Sequence, residues 1–249
     1  MFLLIFATAV GSIAIDFGVA GWEDLMPYGA GAFLMFGLGS IPAGRLGDLW
    51  GRRAMMLIFF FGMGVSALLV AATQGPWQIG LALALLGLFS AIYHPVGIPM
   101  LVQAAKRPGA VIGINGLAGN LGIAAAALVT GFLVKWGGWR MAFIVPGLVC
   151  IALGFVFAWV TPHETEAPAK RKPTIKPIPP SMMVRVLFVL TAVAISASLL
   201  FNFTTNGNAE LLRERFAVLI EDPALLGTLL AGIYTIGALS QVVVGELID

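Results

Sequence analysis

Ionisable side chains are rare in this sequence, so the few that interrupt its apolar runs are the first candidates for chemistry. Asp16 follows the apolar stretch Met1–Ile15, and His94 lies in the run Ala54–Ala105, which contains no Asp, Glu, Lys or Arg. Such groups are costly in lipid and by default mark a proton or solute site. Asp16 faces either an interior cavity or the outer membrane interface. His94 either titrates near neutral pH or only hydrogen-bonds a neighbouring helix.

A second candidate is the charged segment Gly44–Arg53, which reads GRLGDLWGRR and lies between two long apolar runs. Its composition predicts a tight basic turn at a membrane face, where glycines let helix ends approach. Asp48 is suited to accept hydrogen bonds from backbone N–H groups or to pair with an arginine. Taken by itself, the segment is consistent with a charged loop that only sets topology.

A third candidate is a polar cluster near the end of the seventh apolar run, where Asn202 and Asn206 stand among threonines. These amides are suited to line the mouth of a cavity and bind a solute. The alternative is a frayed helix end that runs into a loop.

The usual signatures of catalysis and of metal or cofactor binding are missing from the sequence. It has one cysteine, two histidines without an H-x-x-x-H pair, and no P-loop, G-x-S-x-G or dinucleotide fingerprint. We therefore predict no enzyme, no catalytic residue, no metal and no cofactor. The net charge of +2 also argues against a nucleic-acid partner.

The composition predicts an all-α membrane protein whose main partner is the lipid bilayer. Hydrophobic residues make up 59% of the chain and charged residues 10%, against about 25% charged in soluble domains. A span needs about 20 residues, and charges and turn residues divide the chain into eight spans. These are Met1–Ile15, Tyr28–Ala43, two within Ala54–Ala105 that meet at Thr73–Pro76, Ala110–Val134, Met141–Val160, Val186–Ala209 and Pro223–Val244.

A proline- and lysine-rich stretch divides the chain into predicted domains. Residues 161–182 form a linker that resists helix formation, between a six-helix bundle at 1–160 and the start of a second bundle at 183–249. Basic residues predict orientation, because cytoplasmic loops are richer in Lys and Arg. Ten lie on the side of the charged segment and of the linker, and four on the other. The N-terminus and the linker are therefore predicted to be cytoplasmic, in a plasma (inner) membrane.

An internal repeat relates the second span to the eighth. A shift of about 200 residues aligns Gly44 with Gly245, Leu46 with Leu247 and Asp48 with Asp249. Transporters built from two six-helix halves show such a parallel repeat. The repeat predicts a parent of roughly 400 residues and twelve helices, of which eight are present, and no flux from residues 1–249 alone.

The order of residues in Gly44–Arg53 resembles the signature loop between helices 2 and 3 of the major facilitator superfamily. The run Gly138-Trp139-Arg140, with Phe143, is similar to the start of helix 6 in that superfamily. The resemblance covers the whole chain and implies a helical bundle that transports by alternating access. It also implies that Gly44, Asp48, Gly51, Arg52 and Arg53 form a conformational latch, in which Asp48 and Arg52 exchange partners as the two halves separate.

The pair His94-Pro95 resembles the fosmidomycin-resistance group of the superfamily, which implies proton-coupled efflux of a small organic solute. Two departures weaken an antiport mechanism: no arginine lies near Leu83, and Ala126-Ala127 stand where family antiporters carry Gly-Pro. Uptake of a small metabolite by symport or uniport is the close alternative, and a non-transporting receptor of the same fold is another. A channel or a membrane enzyme would show a charged ring or a cluster of reactive groups, and the sequence has neither.

Overall fold

In the computed structural model of the chain, the described residues are 2–103, 105–164, 167–170, 179–215 and 223–248. Over these ranges the backbone forms helices and turns and contains no strand. Six helical runs there are long and apolar enough to cross a membrane, and two shorter apolar helices, Leu4–Asp16 and Thr235–Leu247, fall in the first and eighth predicted spans. The prediction of an all-α membrane protein is confirmed.

The helices follow the predicted order, with short turns added at two places. They are α1 (Phe2–Asp16), α2 (Trp22–Leu25), α3 (Ala30–Trp50), α4 (Arg52–Ala72), α5 (Pro76–Ser90), α6 (Ile98–Gln103), α7 (Pro108–Gly137), α8 (Met141–Val160), α9 (Pro180–Arg215) and α10 (Pro223–Ile248). A 3₁₀ turn, Met26–Gly29, joins α2 to α3, and another spans Pro168–Lys170.

The turn that the composition of Gly44–Arg53 predicts is present, but it is confined to one residue. Helix α3 continues through Trp50, and α4 begins at Arg52, so Gly51 alone reverses the chain. Its φ of 101° and ψ of 146° lie in a region that is essentially restricted to glycine. Only the extent of the turn was wrong, because Gly44 and Gly47 continue helix α3 instead of breaking it.

The fourth predicted span is interrupted in the middle. Helix α5 ends at Ser90, a π-helical turn covers Tyr93–Gly97, and α6 follows. Pro95 lies in this turn and has no N–H to donate, so a regular α-helix would lose a hydrogen bond there. Turns of this type often occur at functional sites.

The seventh span is longer than predicted. Helix α9 starts at Pro180 and passes through Asn202 and Asn206 to Arg215. The proposed frayed end and loop are therefore wrong for the backbone, because the polar residues continue the helix. In the linker, Thr161–Glu164 and 167–170 are described, whereas Lys172 and Lys176 lie outside the described residues.

The core of the bundle is built from two helix pairs, the antiparallel pair α4–α8 and the parallel pair α3–α5, which approach closely at glycines. α4 packs along α8, and α3 packs along α5. Where α4 meets α8, a Cβ atom on Gly64 would lie 2.7 Å from the Gly147 carbonyl oxygen, and one on Gly147 would lie 3.1 Å from the Gly64 carbonyl oxygen. Small residues allow such backbone contact in membranes. Phe143, Ile5 and Ile13 are among the fully buried side chains around these pairs.

The chain divides into two compact units, Met1–Arg171 with Ala238–Asp249, and Lys172–Gly237. The predicted boundaries at residues 160 and 183 remain predictions. In the first unit, α10 approaches α7 at Gly245, where a Cβ atom would lie 2.6 Å from the Gly109 carbonyl oxygen. Gly44, its partner in the sequence repeat, is also a close-contact glycine.

Candidate functional site

The glycines of the charged segment pack against the π-helical turn. A Cβ atom on Gly44 would lie 3.3 Å from Cβ of Pro95, and one on Gly47 would lie 2.9 Å from Cγ2 of Val96. Larger side chains at these two positions would push α3 away from the turn. Two regions that the sequence singled out separately, Gly44–Arg53 and His94-Pro95, are therefore in direct contact.

Asp48 and Arg52 lie beside this contact but do not pair with each other. Both are half-buried, and within the part of the chain that the structure describes neither forms an ion pair or a side-chain hydrogen bond. The Nη1 atom of Arg52 is buried without an acceptor. A buried donor without an acceptor is unfavourable, so Arg52 gains stability from any arrangement that supplies one.

Arg53, in contrast, is firmly bound to the end of α8. Its Nη2 donates to the Ala158 carbonyl oxygen at 2.6 Å, and its Nε donates to the Thr161 carbonyl oxygen at 2.8 Å. Its backbone N–H donates to Oε2 of Glu164 at 3.2 Å. The last carbonyls of a helix lack partners inside the helix and attract cations. Arg53 supplies the donors at the C-terminus of α8, and Glu164 supplies an acceptor at the N-terminus of α4.

Arg140 binds at the opposite end of the same two helices. Its Nη1 donates to Oδ2 of Asp16 at 2.8 Å, and its Nη2 donates to the Thr73 carbonyl oxygen at 3.1 Å. The guanidinium lies 4.4 Å from the centre of the Trp139 ring, at a distance typical of a cation–π contact. Phe17 meets the edge of that ring at 5.7 Å. Arg140 thus joins the ends of α1 and α4 to the start of α8.

The two arginines occupy equivalent positions. Gly51 and Gly138 each end a helix with positive φ, and an arginine follows two residues later in both cases. Arg53, at the start of α4, binds the carbonyl of Thr161, which follows the end of α8. Arg140, at the start of α8, binds the carbonyl of Thr73, which follows the end of α4. The α3–α4 and α7–α8 connections thus share one local pattern, which is used at opposite ends of the α4–α8 pair. Thr73, Thr161 and Glu164 are site residues that the sequence did not predict, because Thr73 and Thr161 act through backbone carbonyls, which any residue type supplies.

His94 lies in the π-helical turn among aromatic rings. Its ring is 6.0 Å from that of Phe36 and 5.7 Å from that of Tyr93, in edge-to-face arrangements. The Tyr93 hydroxyl donates to Oδ1 of Asn115 on α7. The His94 side chain is exposed and forms no hydrogen bond within the described part of the chain. The turn therefore presents an imidazole in the middle of an apolar span, next to a tyrosine–asparagine pair.

The other predicted site residues lie elsewhere. Asp16 is the last residue of α1 and pairs with Arg140, so it is at a helix end and does not contact His94 in the described structure. Asn202 and Asn206 lie on α9, but their side chains are outside what the structure describes. The roles of Asp16, Asn202 and Asn206 in coupling or solute binding stay predictions.

Groups suited to hold a metal are not found in the described ranges, since no three or more His, Cys, Asp or Glu residues come together there. Cys150 is a buried free thiol, and its Sγ lies 3.4 Å from the Phe60 carbonyl oxygen. This contact gives it a role in helix packing between α8 and α4.

Comparison with known proteins finds a matching family and several relatives. A family model described as "Major Facilitator Superfamily" matches residues 1–249. The chain is 31% identical to a probable actinorhodin transporter of Streptomyces coelicolor over 148 residues, 57% of this chain and 25% of that protein.

Two further relatives show that the similarity is not confined to one kind of transporter. The multidrug resistance protein MdtG of Yersinia enterocolitica is 29% identical over 162 residues, 63% of this chain and 39% of that protein. A low affinity ammonium transporter of Saccharomyces cerevisiae is 25% identical over 199 residues, 78% of this chain and 38% of that protein. The chain thus spans only about a quarter to two fifths of the length of these relatives.

Proposed function

We propose a transport mechanism for this chain, which belongs to the Major Facilitator Superfamily. In this proposal the chain takes part in the secondary active transport of a small organic solute by alternating access. Two helical halves rock about a site near the middle of the membrane. The lipid bilayer and a small solute are the partners that this family implies.

One observation carries the proposal: the charged segment and the turn that holds His94 are in direct contact. Gly44 and Gly47 pack on Pro95 and Val96 without a side chain between them. A change of charge or of solute occupancy at His94 moves the turn, and the end of α3 must follow it. This displacement changes the surroundings of Asp48 and Arg52, which lack partners in the described structure. The segment then acts as a latch in which both residues exchange partners.

The direction of transport that we propose is proton-coupled efflux. The name of MdtG, a multidrug resistance protein, supports export, and a titratable imidazole in an apolar span supports proton coupling. Uptake of a small metabolite is the second candidate, because a relative of similar identity is named an ammonium transporter.

We propose that the chain spans the plasma membrane, with the Gly44–Arg53 end and the 161–182 linker on the cytoplasmic side. The bias of basic residues supports it. The test uses Lys170→Cys and Arg215→Cys, each on a Cys150→Ala background, with an impermeant thiol reagent on intact cells. Labelling at position 215 alone supports the orientation, and labelling at position 170 alone overturns it.

Proton coupling is tested in the full-length protein with His94→Gln and Asp16→Asn. Inverted vesicles are energised with a pH gradient, and a panel of cationic, neutral and anionic fluorescent solutes is offered. The residue that carries the coupling proton, when made neutral, still permits exchange of solute but no accumulation against a gradient. His163→Gln, in the stretch that follows α8, is the matched control and keeps accumulation intact. Full accumulation in both variants contradicts a coupling role for His94 and for Asp16.

A further inference from the structure

A cavity that the transport mechanism does not use lies between the start of α5 and the 3₁₀ turn and first residues of α3. Its volume is about 600 Å³, within the range of about 300–1,000 Å³ that is typical of small-molecule sites. It is lined by Asp24, Tyr28, Gly31, Trp77, Gly80 and Leu81, among others. It adjoins the α4–α5 connection, at the end of the bundle where Arg140 lies.

Two aromatic rings form one wall of this cavity. The rings of Tyr28 and Trp77 meet edge to face, with centroids 5.4 Å apart. The Trp77 side chain is 76% exposed, so much of its ring is accessible to a ligand. Gly80 makes room for Tyr28, because a Cβ atom there would lie 3.1 Å from Cδ1 of the tyrosine. The aromatic faces carry negative charge density, which attracts cations.

Asp24 is the only charged residue among the described residues that line the cavity. It is exposed, and no cation or hydrogen-bond donor of the described chain binds its carboxylate. Apart from Asp24, the lining side chains are almost entirely apolar. A carboxylate beside aromatic rings and an apolar wall matches a ligand that has one positive charge and an apolar body, whereas it repels anions and offers few groups to a sugar.

We propose that this cavity binds a monovalent organic cation, an ammonium or phosphonium group with apolar substituents, held by Asp24, Tyr28 and Trp77. The charge faces the carboxylate and the rings, and the apolar substituents lie along Leu81. Binding at this cavity does not depend on transport, and it is measured without a solute gradient. The cation is either a free organic ion or the ammonium headgroup of a lipid, which share this chemistry.

The test measures equilibrium binding of radiolabelled tetraphenylphosphonium to the full chain in nanodiscs of phosphatidylglycerol, with empty discs subtracted. We expect Asp24→Asn to raise Kd by about tenfold and Trp77→Leu by about fivefold, on the basis of one lost charge interaction and one lost cation–π contact. Glu23→Gln is the matched control, because it removes the neighbouring carboxylate, which does not line the cavity, and it leaves Kd unchanged. Tetraphenylborate, an anion of the same shape, is expected not to compete.

A second arm distinguishes the two sources of the cation. Discs that contain phosphatidylethanolamine raise the apparent Kd for tetraphenylphosphonium if the lipid headgroup occupies the cavity, and leave it unchanged if the natural ligand is a free ion. Circular dichroism confirms that each variant is folded. Saturable binding that is equal in wild type, Asp24→Asn and Trp77→Leu, or no saturable binding at all, overturns the proposal.

Discussion

At each end of the α4–α8 pair, an arginine donates to a backbone carbonyl oxygen at the end of a helix. The two ends differ in the charged groups around that arginine. At the Arg140 end, the guanidinium pairs with Asp16 of a third helix and lies over the ring of Trp139. At the Arg53 end, the guanidinium binds the carbonyls of Ala158 and Thr161 at the end of α8, and within the described residues the charged neighbours Asp48 and Arg52 have no side-chain partner.

This difference assigns different tasks to the two ends. Because Arg140 joins three helices and neutralises Asp16, it favours one arrangement of this end. At the Arg53 end, contacts to backbone carbonyls hold α4 and α8 together. Asp48 and Arg52 there remain available for another partner. We infer that the pair moves as a rigid unit and that the switching charges belong to the Arg53 end alone.

Glycine substitution gives the largest expected effect and tests whether the two ends are equally constrained. Gly51→Ala places a side chain in a backbone region that costs about 1–3 kcal/mol for other residues, and its Cβ atom would lie 2.5 Å from Oε2 of Glu164. Gly138→Ala has the same backbone strain but open space around Cβ. We expect Tm in detergent to fall by roughly 8 °C for Gly51→Ala and by less for Gly138→Ala. Equal losses would contradict the contact with Glu164.

Removal of Arg140 has the next largest expected effect. Arg140→Ala loses the Asp16 pair, the Thr73 carbonyl contact and the stacking on Trp139, and we expect Tm to fall by roughly 6 °C. Asp16→Asn removes only the charge of the pair, whose side chains are 38% and 42% exposed, so its effect is smaller. Lys135→Ala, an exposed basic residue in the last turn of α7, is the control. If Asp16→Asn costs as much as Arg140→Ala, the ion pair rather than the three-helix contact determines stability.

The Arg53 end is tested by comparing two adjacent arginines. Arg53→Ala leaves the last carbonyls of α8 without donors, and we expect a fall in Tm of roughly 4 °C. Arg52→Met removes a buried donor that has no acceptor, so Tm is expected to stay the same or to rise slightly. Thermal unfolding of both variants in the same detergent provides the measurement. A larger loss for Arg52→Met than for Arg53→Ala would show that Arg52, not Arg53, stabilises this end.

The sequence predicted the fold because lipid imposes strong constraints on composition. Apolar runs of membrane length between charged breaks correspond to helices, and Pro95 accounts for the interruption in the fourth span. The Gly44–Arg53 segment misled the prediction because glycine indicates a turn only where φ becomes positive, and only Gly51 meets that condition. Gly44 and Gly47 instead lie inside a helix, where they allow close contact with a neighbouring segment. Composition alone does not distinguish such glycines from glycines in turns.

The candidate site was predicted only in part, because its contacts join residues that are far apart in the sequence. The sequence identified Arg53, Arg140 and His94 from their type and place. Their partners Thr73, Thr161 and Ala158 act through backbone carbonyls, and any residue type supplies a carbonyl. Contacts of this kind leave no compositional signal, so only the arrangement of α4 and α8 could show them.

Asp48→Asn tests most directly whether Asp48 belongs to a latch that exchanges partners. The measurement is the initial rate of proton-driven solute uptake into inverted vesicles that contain the full-length protein at matched membrane levels. The amide has nearly the same size but no charge for an arginine partner, so we predict a loss of about tenfold or more, as for a coupling free energy of typical size. The control Glu23→Gln, at an exposed carboxylate, transports normally. Uptake by Asp48→Asn at the wild-type rate would contradict the latch and leave the segment only a role in setting topology.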